Sequence, residues 1–141
     1  MNTTTRKCVL LIFFITVLST AQLIAQKYGT ERARIDYAKK NIAYGLRSEN
    51  NGVVESVLIL VAKLKMSHPP ENIANLLSIV DSLSTSGESG VLRYKAYIIS
   101  NICADPAWFA EEDLLHMPTP DQFFVAAARR LENKMLGISS R

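Results

Sequence analysis

Apolar residues recur every three or four positions along most of this chain, and one stretch of the pattern is written twice. Residues 42–65 read IAYGLRSENNGVVESVLILVAKLK, and residues 79–103 read IVDSLSTSGESGVLRYKAYIISNIC. Each begins with the tail of an amphipathic helix ending in a leucine, Leu46 or Leu83. A polar Ser/Asn/Gly/Glu turn follows. A second helix then opens on two aliphatic residues, Val53-Val54 or Val91-Leu92. The offset is 37 residues at the leucines and 38 at the second helix, so the second turn is one residue longer. A two-helix unit repeated at this length predicts a stacked α-solenoid, in which neighbouring units bury the face that one pair alone leaves exposed.

The helices follow from the same periodicity. Thr30 is placed to cap a helix from Glu31, with Ile35, Ala38, Ile42 and Leu46 as its inner stripe. Residues 48–52 (SENNG) break it. A second helix is expected over about 53–66, with Val54, Val57, Leu58, Val61 and Leu64 on one face. Ile59 and Leu60 widen its apolar surface, as in a helix covered on more than one side. His68-Pro69-Pro70 stops it, with Pro70 suited to the first position of the next helix.

Ile73, Leu76, Leu77, Val80 and Leu83 define that third helix. Residues 84–90 (STSGESG) read as a turn. A fourth helix over about 90–103 turns Leu92, Ala96, Ile99, Ile102 and Cys103 inward. Asp105-Pro106 starts a short segment through Trp108 and Phe109, expected to cover the end of the second unit. Thr119-Pro120 caps a last helix to about 136, with Phe124, Ala127, Ala128, Leu131 and Met135 inward and Gly137 as its C′ residue. No alternating strand pattern occurs. The expectation is an all-α fold with units at about 31–66 and 70–103 and a C-terminal capping region at 105–137.

Residues 1–25 read differently. Arg6 and Lys7 precede an apolar run, CVLLIFFITVL at 8–18, and Ala21 or Ala25 ends a small-residue cleavage pattern. This is the layout of a secretory signal peptide, leaving a single domain at 26–141. The alternative is an uncleaved anchor over residues 8–25, close to the lower length limit for a bilayer span. Removing residues 1–21 takes Arg6 and Lys7 away. That leaves 14 basic against 13 acidic residues and a net charge of +1 rather than +3. The basicity therefore belongs partly to the export signal and gives no support for nucleic-acid binding. Cys103 is then the single cysteine, so no intramolecular disulfide forms, and its place on an apolar stripe marks a buried, inert thiol.

The two units resemble HEAT-type or armadillo-like repeats. The second fits best, with Leu83 closing one helix and Leu92-Arg93 followed by Ala96 opening the next. The first departs, with Glu55 where the family often has a basic residue and Leu58 where it has a small one. The turns carry Asn50-Asn51 and Glu88 where an aspartate is common. The resemblance covers about residues 35–103 and implies a surface for protein partners.

Candidate chemistry is thin. Glu112 and His116 stand four apart and could share a helix face, but a zinc site wants three or four ligands. His68 reads as an exposed loop residue. Residues 86–90 (SGESG) lack the glycine spacing and strand context of a nucleophile elbow. No catalytic, cofactor-binding or metal residue is assigned. Tyr37, Tyr44, Tyr94 and Tyr97 read as half-buried packing residues with wet hydroxyls, the alternative being anchors for a partner if several line one exposed surface. The expectation is an exported, periplasmic or secreted, non-catalytic protein-interaction module with a protein partner. The alternatives are a membrane-tethered accessory or stability factor held at the inner membrane by residues 8–25, and a small metal-dependent enzyme.

Overall fold

The computed structural model describes residues 29–110 and 112–138, and over these it is all-helical with no strand. The export segment expected at residues 1–25 lies outside the described residues. The chain divides into two compact units, Met1–Ala38 and Lys39–Arg141. Of the first unit, residues 29–38 are helical, with Ile35 and Ala38 half-buried and Tyr37 exposed. This helix, α1, continues to residue 45 within the second unit. Residues 29 and 30 are already helical, so Thr30 is not its cap.

The second unit adds α2 (Asn51–Ser67), α3 (Ala74–Ser86), α4 (Gly90–Ala104), α5 (Pro106–Phe109), α6 (Glu112–Leu115) and α7 (Pro120–Met135). The helix α2 starts two residues earlier than the periodicity suggests. Asn50 is its cap, its Oδ1 accepting from the amides of Gly52 and Val53. Gly45 explains how α1 meets α2: a Cβ there would lie 2.7 Å from Val57 Cγ2, so any side chain at this position would force Val57 aside.

Three expected boundaries move. Pro70 does not open α3. It lies in a turn closed by the Glu71 amide donating to the His68 carbonyl, while Lys65 Nζ donates to the carbonyls of Pro69 and Glu71. The helix α3 starts only after Ile73. Ser84, Thr85 and Ser86 prolong α3 instead of breaking it. Their hydroxyls donate back to the carbonyls of Asp81 and Ser82, bonding along the helix. The true turn is Gly87 to Ser89. At Gly87 a Cβ would sit 2.6 Å from the Leu83 carbonyl oxygen, which leaves no room for a side chain.

The centre of the second unit is α4. It packs on α3 along one side and α2 along another. The expected inward residues Leu92, Ala96, Ile99, Ile102 and Cys103 are all buried, and Ile98 joins them. Burying residues on two sides accounts for Ile98, which a single stripe does not include. The same holds in α2, where Ile59, Ala62 and Met66 are buried beside Val54, Leu58 and Val61.

Polar links fix how α2 and α4 lie. Asn51 Nδ2 donates to Glu88 Oε2, 37 residues on, near the start of each helix. One turn further in, Lys95 Nζ donates to Glu55 Oε2 at 2.6 Å. The two helices therefore begin side by side and run in the same sense. Glu55 and Glu88, the residues that depart from the repeat pattern, make these links. On the α1–α3 side, Lys39 pairs with Glu71.

The C-terminal region packs across both inner helices. The short α5 touches α2 and α4, and α7 touches α4, α2 and α6. Phe109 is fully buried and Trp108 half-buried. Phe123, Phe124, Ala127 and Leu131 form the buried face of α7, with Phe123 and Phe124 edge to face at 5.6 Å. Met135, expected inward, is 72% exposed. No polar or charged residue is buried among those described.

Candidate functional site

Ion pairs first explain how α7 is aimed. Arg130 Nη2 reaches Asp113 Oδ1 at 2.8 Å, and its Nη1 donates to the Phe109 carbonyl. Lys134 Nζ reaches Asp105 Oδ2 at 2.6 Å and lies over the Trp108 and Phe109 rings. Asp105 precedes α5 as expected, but its carboxylate serves this lysine and does not cap the helix. Lys95 Nζ lies 3.8 Å from Asp121 and 5.0 Å from the Phe124 ring centroid. Thr119 Oγ1 accepts from the Gln122 amide, and Pro120 stands in the first turn, as the sequence suggests.

The end of α7 is equally defined. Gly137 has φ of 69°, the Gly137 amide donates to the Lys134 carbonyl and the Ile138 amide to the Asn133 carbonyl. That pair of bonds is a Schellman motif, which needs a left-handed residue that glycine supplies at little cost.

So held, α7 forms an open groove with α4 of about 720 Å³. Tyr94 and Tyr97 line one wall. Val125, Ala128, Met135 and Leu136 line the other, with Leu131 at its base. The tyrosines are exposed, at 54% and 44%, and are not the half-buried packing residues the sequence suggests. Val125, Met135 and Leu136 are more exposed still. Exposed apolar side chains clustered this way mark an interaction site more often than scattered single residues do. Tyrosine adds wide contact area with a hydrogen-bonding tip. Tyr44, on α1, is also fully outward.

Two charges enter the groove, Arg129 and Glu132. The side chains of Asp121, Arg130 and Lys134 on the same helix all have partners within the fold. Among the described residues, the Arg129 and Glu132 side chains make no ion pair or hydrogen bond.

No family model, curated protein or solved structure matches the chain.

The groove was not legible as a site in the sequence, because its walls come from helices separated by α5 and α6. Its best signal was the run of apolar residues on α7 outside the main stripe, Val125 and Leu136. The sequence candidates for metal binding fare differently. His116 is exposed, and the Glu112 side chain lies outside the described residues. Among those described, no three His, Cys, Asp or Glu side chains converge. His68, expected in an exposed loop, is half-buried as the residue that ends α2.

The Cys103 thiol is buried, and desolvation pushes its pKa up to about 12, against a smaller opposing effect of Lys65. A thiol so placed is a poor nucleophile. Asp105 and Asp113 are held below the usual carboxylate range, chiefly by the hydrogen bonds from Lys134 and Arg130 respectively. Their role is to fix α7 against α5 and α6.

Proposed function

We propose that this chain is an exported, non-catalytic helical-repeat protein that binds another protein chain through the groove between α4 and α7. The observation that carries the reading is the exposed pair Tyr94 and Tyr97 on α4 facing the exposed Val125 and Leu136 of α7, two helices whose other faces are buried. A rigid groove of this kind binds with little ordering cost, since its side chains already stand on fixed helices. An apolar helix fits such a groove through residues at i, i+3, i+4 and i+7.

The repeat architecture belongs to the same proposal. The helix pairs α1–α2 and α3–α4 are HEAT-like units stacked with α2 beside α4. The support is the parallel pairing of those helices through Asn51–Glu88 and Glu55–Lys95, at separations of 37 and 40 residues, close to the offset of the sequence repeat. The segment α5–α7 then caps both units together. Export rests on the residue pattern of positions 6–25. Among the described residues, no helix is long and apolar enough to cross a membrane.

The test is affinity capture from a native envelope fraction, comparing the exported chain with a Val125→Asp/Leu136→Asp variant. Capture of a partner by the native chain, lost in a variant of unchanged helicity, is expected. Equal capture by both would remove the groove from the binding surface.

A further inference from the structure

The outward stripe of α7 is self-complementary. It consists of Val125, Arg129, Glu132 and Leu136, spaced by four, three and four residues. At 3.6 residues per turn these four fall within an arc of about 60°. That arc lies opposite the buried face of Phe123, Phe124, Ala127 and Leu131. The spacing is symmetric about the midpoint between Arg129 and Glu132, and so is the chemistry: apolar, cation, anion, apolar.

A two-fold axis through that midpoint, perpendicular to the helix, sets two copies of α7 antiparallel. Arg129 then faces Glu132 of the other copy, twice, and Val125 faces Leu136, twice. The 4–3–4 spacing is that of alternating seam positions in a two-helix coiled coil, in which side chains of one helix enter gaps of the other. An isologous contact requires a patch that complements itself in this way. We infer that the α4–α7 groove binds a second copy of this chain, through antiparallel pairing of α7 with Tyr94 and Tyr97 at the rim. This specifies the partner of the interaction surface proposed above and rests on that reading.

Two features favour self-pairing over another occupant, and a third sets its orientation. The groove carries one charge of each sign, so it selects neither an acidic nor a basic partner. Its two charges lack partners among the described residues, unlike Asp121, Arg130 and Lys134 on the same helix. And the parallel orientation is excluded by the stripe itself, since it would set Arg129 against Arg129 and Glu132 against Glu132. The charge pair fixes register more than it adds affinity, because desolvating two ions offsets much of their attraction. The dimer is therefore weak and concentration-dependent.

Sedimentation equilibrium of the full chain tests this with charge reversals. The native chain is expected to pass from monomer to dimer over micromolar to millimolar concentrations. Arg129→Glu alone and Glu132→Arg alone each weaken self-association by about tenfold or more. An equimolar mixture of the two single variants, or the double variant Arg129→Glu/Glu132→Arg, restores it. A native chain that stays monomeric, or single reversals that dimerise like the native chain, overturns the proposal.

A photo-crosslinker at Val125 separates this failure from that of the broader reading. A homodimeric adduct supports self-pairing. An adduct solely with a different protein overturns self-pairing and leaves the groove an interface. No adduct at all overturns both.

Discussion

Lys95 Nζ stands 2.6 Å from Glu55 Oε2, forty residues away in the chain, and ties the second turn of α4 to the second turn of α2. The same ammonium lies over the Phe124 ring of α7, so one half-buried lysine of α4 contacts two other helices. At the matched position of the repeat pattern Glu55 looks like a defect. In the fold it is the acidic half of a link between α2 and α4.

Breaking that link should cost stability without altering the fold. The pair is partly screened by water, so Glu55→Gln should lower unfolding free energy by about 1 kcal/mol, at the upper end for exposed pairs. Urea denaturation of the two single variants and the Glu55→Gln/Lys95→Met double variant measures the coupling. Additive losses in that cycle would mean the two residues act independently.

Gly87 is required by space, since its φ of −58° is open to any residue. A methyl at this position meets the Leu83 carbonyl oxygen, which is backbone and cannot swing away. Gly87→Ala should therefore shift the α3–α4 connection and cost about 1–3 kcal/mol, as for overpacking elsewhere. Gly90→Ala is the control, because a Cβ there meets nothing closer than 3.8 Å. Equal stability of the two variants would show that the turn has slack.

Acid should loosen the C-terminal region first. Asp105 and Asp113 have carboxyls held below their ordinary values by Lys134 and Arg130. Groups of lowered pKa contribute stability that is complete above the unfolded value, about pH 4, and is lost as pH falls through the folded value. Thermal unfolding should thus be flat from neutral pH to about pH 5 and decline below about pH 4. The decline should be shallower in Asp105→Asn/Asp113→Asn. An unchanged acid limb in that variant would place the responsible carboxylates elsewhere.

The Cys103 thiol should be unreactive while the chain is folded. Its pKa of about 12 and its burial keep the thiolate scarce and enclosed at pH 8. In a Cys8→Ser background, an aromatic disulfide reagent should leave the native protein untouched and titrate one thiol after denaturation. Rapid reaction of the native protein would show that α4 opens readily.

The all-α character and most helix spans were legible because the apolar period of the sequence is strong. Leu92, Ala96, Ile99 and Ile102 follow from spacing alone, and all are buried. Residues packed outside one stripe were not. Phe123 sits beside Phe124 yet is buried, and so is Ile98, which lies outside the expected stripe of α4. Serines misled at 84–86, because a hydroxyl that can break a helix can also bond back along it. The period of α7 turns Met135 inward, but it lines the outer groove. The groove itself depends on α7 packing beside α4, a contact between helices separated in the chain that no local pattern encodes.

The central claim is that the exposed face of α7 is an interface. The most direct measurement is the affinity of the native chain and of Val125→Asp/Leu136→Asp for whatever partner is captured, a second copy included, alongside their thermal transitions. The account predicts binding weakened about tenfold or more at a similar transition temperature. Equal affinity in two equally folded proteins would contradict it.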